Sequence, residues 1–155
     1  GVRIMQFPGY VVILLEMAHE AGIIPTTPRP ALDGAIRQYL GESRGRWAGS
    51  TLVVETTNFN GKPAMTNLGG PGSASLTPAS GNLRFTERFT RTAQDTIDYQ
   101  MTVEDPEILT TGKWSAAFPL KLDNDYQMFE FACHEGNTAI RNYIETSRFE
   151  RAKEE

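Results

Sequence analysis

Two stretches of strict alternation, residues 83–91 and 96–104, constrain the fold of this chain more than any other feature. In the first, Leu83, Phe85, Glu87 and Phe89 share one parity, and Arg84, Thr86, Arg88 and Thr90 share the other. In the second, Ile97, Tyr99, Met101 and Val103 oppose Thr96, Asp98, Gln100 and Thr102. Successive side chains on a strand point to opposite faces, so a period of two marks half-buried antiparallel strands. Thr92-Ala93-Gln94-Asp95 joins the two as a hairpin.

The remaining chain reads largely as strands. Residues 2–7, the Pro8-Gly9 turn and residues 10–18 form a second hairpin, and 21–24 adds a short strand. Residues 10–18 are apolar on both faces, with Val11, Ile13, Leu15 and Met17 on one and Tyr10, Val12 and Leu14 on the other, so the outer face needs a cover. Prolines 25, 28 and 30 mark an irregular crossing. Residues 31–40 are expected as a short helix, and 41–46 as a charged loop. Ala48-Gly49-Ser50 turns into TLVVETTNF, whose β-branched residues favour a strand. Residues 61–82 hold five glycines and three prolines and are expected as a long flexible loop. Residues 114–120 and 127–135 suggest a further hairpin around Asp123-Asn124-Asp125. Residues 137–153 carry Ala139, Ile140, Tyr143 and Ile144 at helical spacing, an amphipathic helix placed to cover residues 10–18. The expectation is an all-β chain, one domain over 1–155: a single antiparallel up-and-down barrel of eight to nine strands, with a short helix and a C-terminal helix. A closed barrel of about eight strands can hold one small ligand.

The chain has 155 residues, 39% hydrophobic and 22% charged, which suits one folded domain with one sizeable core. Its net charge of −4, with no run of basic residues, argues against a nucleic-acid partner and favours a small-molecule ligand or substrate. The longest apolar run, residues 10–15, is too short to span a bilayer as a helix, so no membrane association is expected; oligomeric state is left open. No basic segment followed by an apolar one opens the chain, and the start at Gly1 suggests a processed or trimmed form.

The candidate chemistry centres on Glu87. It lies between Phe85 and Phe89 on the inward parity, where burial costs several kcal/mol unless the charge is paired and raises the carboxyl pKa. Such a group suits general acid–base work; Arg84 or Arg88, brought round by a bulge, would instead neutralise it. Residues 126–137, YQMFEFACHEGN, hold the single cysteine and one of two histidines. By parity, Phe129, Phe131 and Cys133 serve the core, and Glu130 and His134 share the other face as a second acid–base pair. His19 would be a second imidazole at the mouth. Glu55, Tyr99, Trp47 and Trp114 are the candidate ligand-binding residues. No cofactor is implied. Should the strand ends carrying His19 and His134 meet, two imidazoles and one or two carboxylates could hold zinc. The Gly69-Gly70-Pro71-Gly72 run lacks the Lys-Ser/Thr ending of a phosphate loop.

PGYVVILLEMAHEAGIIP, IRQYLGESRGRWAGSTLVVETTNF, ERFTRTAQDTIDYQMTVEDP and FEFACHEGN resemble a family of largely uncharacterised exported proteins of soil bacteria. The resemblance implies a secreted or periplasmic setting and a longer precursor. It implies no particular activity. Gly45-Arg46-Trp47 is similar to the lipocalin Gly-x-Trp signature, although that signature belongs near a first strand and this one is mid-chain. Together these readings imply an enzyme, a hydrolase or lyase acting on a small organic or sugar-derived substrate in a lipocalin-like cavity. The alternative is a carrier for a small apolar ligand, without catalysis.

Overall fold

The computed structural model describes residues 1–62, 79–130 and 138–153. They form two antiparallel sheets. The first has three strands, β1 (Val2–Phe7), β2 (Tyr10–Leu15) and β3 (Ala21–Pro25). The second has five: β4 (Glu42–Ala48), β5 (Thr51–Thr57), β6 (Arg84–Ala93), β7 (Thr96–Glu104) and β8 (Lys113–Lys121). Every strand pairs with its sequence neighbour except β3 with β4. One helix, α1 (Ala139–Arg151), follows. The mostly-β expectation holds.

The alternating hairpin is β6–β7, and its register joins the residues of like parity: Phe85 faces Val103, Glu87 faces Met101 and Phe89 faces Tyr99. Val54 lies beside Glu87 and Leu52 beside Phe89 on β5. Val11 and Ile24 from the first sheet pack on Leu52, Val54 and Phe89 of the second. Burying each of these side chains contributes about 1.5–3 kcal/mol, so this contact is what joins the sheets. Gly45 on β4 allows the approach: a Cβ there would stand 2.9 Å from Ile24 Cγ2. The glycine of the Gly-Arg-Trp triplet thus has a packing reason of its own.

The barrel is not closed. β3 ends at Pro25, and the chain then leaves the sheet, so β3 meets β4 through side chains without a ladder. At the other seam, β1 and β8 do not pair with each other among the described residues, and a recess of about 510 Å³ opens beside Val2, Ile4, Ile97 and Leu120.

Four local expectations are corrected. Residues 41–46 are largely strand, because β5 supplies a ladder partner for each residue from Glu42 to Ala48. Residues 31–40 form no helix. Asp33 Oδ1 accepts from Ala35 N–H at 2.8 Å, and Arg37 Nη1 donates to the carbonyls of Phe59 and Gly81, so turn chemistry and tertiary bonds hold the segment open. Residues 127–130 are in no strand: Asp123 Oδ1 accepts the N–H groups of Asp125 and Tyr126 and turns the chain. Tyr126 O–H and Phe129 N–H then both donate to Glu16. Together with the Gly1 ammonium, which has the largest effect, they hold the Glu16 carboxyl down at about 2. Finally, α1 does not cover residues 10–18 among the described residues. None of its residues is buried and Tyr143 is 79% exposed, while Ile23 on the outer face of the first sheet is 66% exposed. No helix among the described residues is long and apolar enough to cross a membrane.

Residues 63–78 of the expected flexible loop lie outside the described residues, but its end at 79–82 is firmly held. Ala79 and Ser80 are buried, tied down by Asp105, which is 0% exposed. Its carboxylate accepts Ser80 N–H at 2.8 Å, Ser80 O–H at 2.7 Å and Glu107 N–H at 3.2 Å. Hydrogen bonds to a charged group contribute about 1.5–3 kcal/mol each, and three here offset the loss of water. Asp105→Ala is expected to lower unfolding stability by about 3 kcal/mol or more in urea titrations, since it leaves buried donors unmet. A loss under about 1 kcal/mol would contradict this role.

Candidate functional site

A cavity of about 750 Å³ lies between β2–β3, the crossing at 29–42 and the inner face of β4–β6. That volume is within the range of small-molecule pockets. Its wall mixes apolar side chains, including Ile13, Ile24, Leu40, Phe59 and Phe85, with polar ones such as Gln38. Ser43 and Thr56 also face it, but their hydroxyls bond to each other at 2.8 Å. Glu87 is the ionisable group on the β6 wall.

Glu87 faces the cavity for the reason its parity suggested. The one irregularity in the β6–β7 register falls at Arg91–Ala93, beyond Glu87. Arg84 and Arg88 therefore keep the opposite parity, and neither forms an ion pair with Glu87 among the described residues. Tyr99 does reach it, donating its hydroxyl hydrogen to Oε1 at 2.7 Å. Burial pushes the Glu87 carboxyl up, and the Tyr99 bond only partly opposes this, so the carboxyl titrates above the usual carboxylate range. Tyr99 is pushed strongly upward, first by its own burial and then by the carboxylate beside it. The phenol therefore stays a hydrogen-bond donor throughout the working pH range. Its ring is fixed between Phe89, at 4.9 Å between centroids, and Phe118, at 5.2 Å.

Glu42 is a cavity residue that sequence reasoning missed. Burial opposes its charge, but the Arg44 guanidinium and the Leu32 N–H more than offset this and hold the carboxyl below its ordinary value. The signal was the Glu-Ser-Arg spacing, which puts Glu42 and Arg44 on one face if the segment is a strand. With 41–46 read as a loop, that parity carried no meaning. By register Glu42 shares the face of Arg44 and Glu55, so it borders the cavity from the end of β4 while Glu87 faces it from the β6 wall.

The other expected site residues lie elsewhere. Glu55 is on the opposite face of the second sheet from Glu87, with Arg46 Nη2 at 3.7 Å from its carboxylate. Trp47 sits on β4, half exposed, and is not among the residues lining the cavity. Trp114 packs on the separate cluster of Phe59, Ala79, Leu83 and Val103; its buried indole N–H has no partner among the described residues. His19 ends the 3-10 turn Met17–His19 with φ 54° and, like the exposed Glu130, does not line the cavity. Cys133 and His134 lie outside the described residues, so the Glu130–His134 pair is not assembled by what the structure describes. Among the described residues, no group of three or more His, Cys, Asp or Glu is placed to hold a metal ion. No protein-family model, curated protein or solved structure matches this chain.

The environment of Glu87 has a signed consequence for stability. An unfolded glutamate titrates near 4.3. Because the folded value is raised, the folded state binds this proton more tightly. The associated stability is full below about pH 4.3 and is lost as pH rises through the folded value. Gln at this position keeps an acceptor for Tyr99 and carries no charge. Glu87→Gln is therefore expected to match or exceed the wild-type thermal midpoint at pH 8, with its advantage shrinking toward pH 4. A variant that loses ground steadily from pH 4 to pH 8 would refute the assignment.

Proposed function

We propose that the chain is an acid–base enzyme, a hydrolase or lyase, acting on a small organic or sugar-derived substrate in the cavity beside Glu87. One observation carries this reading: a cavity-facing carboxyl, raised by burial, with one oxygen held by Tyr99 and no described partner on the other. A carboxyl that titrates nearer to neutrality is well matched to giving and taking a proton. In the neutral state Glu87 gives its proton from the unheld oxygen to a basic or leaving atom of the substrate. The carboxylate so formed is stabilised by the Tyr99 O–H bond, which strengthens as charge develops on the acceptor. It then takes a proton back from water or from the substrate. Glu42, held as a carboxylate by Arg44, adds a fixed negative charge on the same cavity. We place this activity outside the cytoplasm, the setting implied by the resemblance to exported soil-bacterial proteins.

The apolar part of the wall, Ile13, Ile24, Leu40, Phe59 and Phe85, favours a second reading, a carrier for a small apolar ligand, in which a neutral Glu87 acts only as a hydrogen-bond donor. Turnover separates the two. In a panel of chromogenic esters, glycosides and β-elimination substrates, Glu87→Gln is expected to lower kcat/KM by about 100-fold or more, with the fold intact by circular dichroism. The wild-type pH–rate profile should carry an ionisation above the ordinary carboxylate range that the variant lacks. Undiminished turnover in the variant removes Glu87 from the chemistry. Tight binding of apolar ligands without turnover favours the carrier.

A further inference from the structure

Arg29 also lines the cavity, and it is exposed. Its backbone is unusually well anchored for a crossing segment. Arg44 Nη1 donates to the Arg29 carbonyl, Arg44 Nη2 donates to the Pro30 carbonyl at 2.6 Å, and Leu32 N–H donates to Glu42 at 3.2 Å. Prolines on either side restrict the backbone further. The root of the side chain is therefore held on β4, while its guanidinium forms no hydrogen bond and no ion pair within 4.0 Å among the described residues. Glu42 acts on it only through space, and that carboxylate is already engaged by Arg44 and Leu32. Glu20 is the remaining carboxylate on the cavity and is not paired with Arg29.

We infer that Arg29 is a substrate anchor that takes the carboxylate of an amphipathic organic acid, whose apolar body lies along the wall of Ile13, Leu40 and Phe85. The proposal rests on the reading of this cavity as a small-molecule site and adds to it the charge of the substrate. Arginine presents two parallel N–H groups that match a carboxylate in a fixed plane, a geometry that lysine lacks. An anion at the mouth would place the far end of the molecule along the apolar wall that leads to Glu87.

Three probes with the same chain and different head groups test this: octanoate, octanol and octylamine, titrated calorimetrically into the full chain. Octanoate is expected to bind at least about tenfold more tightly than octanol. Added salt should weaken octanoate and leave octanol unchanged. Arg29→Gln should bring octanoate down to the affinity of octanol without altering octanol, and Arg29→Lys should retain part of the preference. The inference is overturned if octanol binds as well as octanoate, if octylamine binds best, if Arg29→Gln weakens both probes equally, or if none of the three binds. Turnover that depends on Glu87 would stand through any of those results, so the failure of the anchor is distinguishable from the failure of the acid–base site.

Discussion

The contact of Val11 and Ile24 with Leu52, Val54 and Phe89 is the interaction on which the rest of this structure depends. Two sheets of three and five strands share no ladder among the described residues, so they are joined by side-chain burial rather than by backbone bonds. Gly45 sets how near the sheets come, because any side chain there would collide with Ile24. The same inner face continues from Val54 to Glu87 and Phe85, where the apolar contact gives way to open volume. Core and cavity are two ends of one surface, and the carboxyl stands where one passes into the other.

Three carboxylates show how differently one chemical group can be treated in a small protein. Asp105 is fully buried and has three donors, so it serves the fold. Glu42 is buried with a guanidinium and a backbone N–H, so its charge persists. Glu87 has one neutral donor and a desolvating wall, so its charged form is the disfavoured one. Only the last arrangement leaves an oxygen and a proton for another molecule. The difference in partners, not the number of acidic residues, sets these three carboxylates apart.

How much of the site could be read in advance follows the range of the forces involved. Parity placed Glu87 and Tyr99 on one face of adjacent strands, since the direction of a strand side chain is a local property. Glu55 was harder, because TLVVETTNF is apolar on both faces, with Val53 and Val54 both almost fully buried. Glu42 was hidden by reading 41–46 as a loop, and the placement of Arg29 depends on Arg44 bridging a strand to a crossing segment. The helix expected at 31–40 failed for a related reason: Arg37 finds its partners 22 and 44 residues away.

The sequence by itself determined the mostly-β character, the β6–β7 hairpin and the inward direction of Glu87. Alternation and turn residues act over a few positions, and little elsewhere in the chain can reverse them. Tertiary structure alone decided that the barrel stays open, that α1 does not cover β2 among the described residues, and that Glu42 and Arg29 share a cavity with Glu87. Those outcomes depend on which edges meet and on which donors reach distant acceptors. Such choices are made by packing and solvation across the whole chain, and no local pattern of residues carries them.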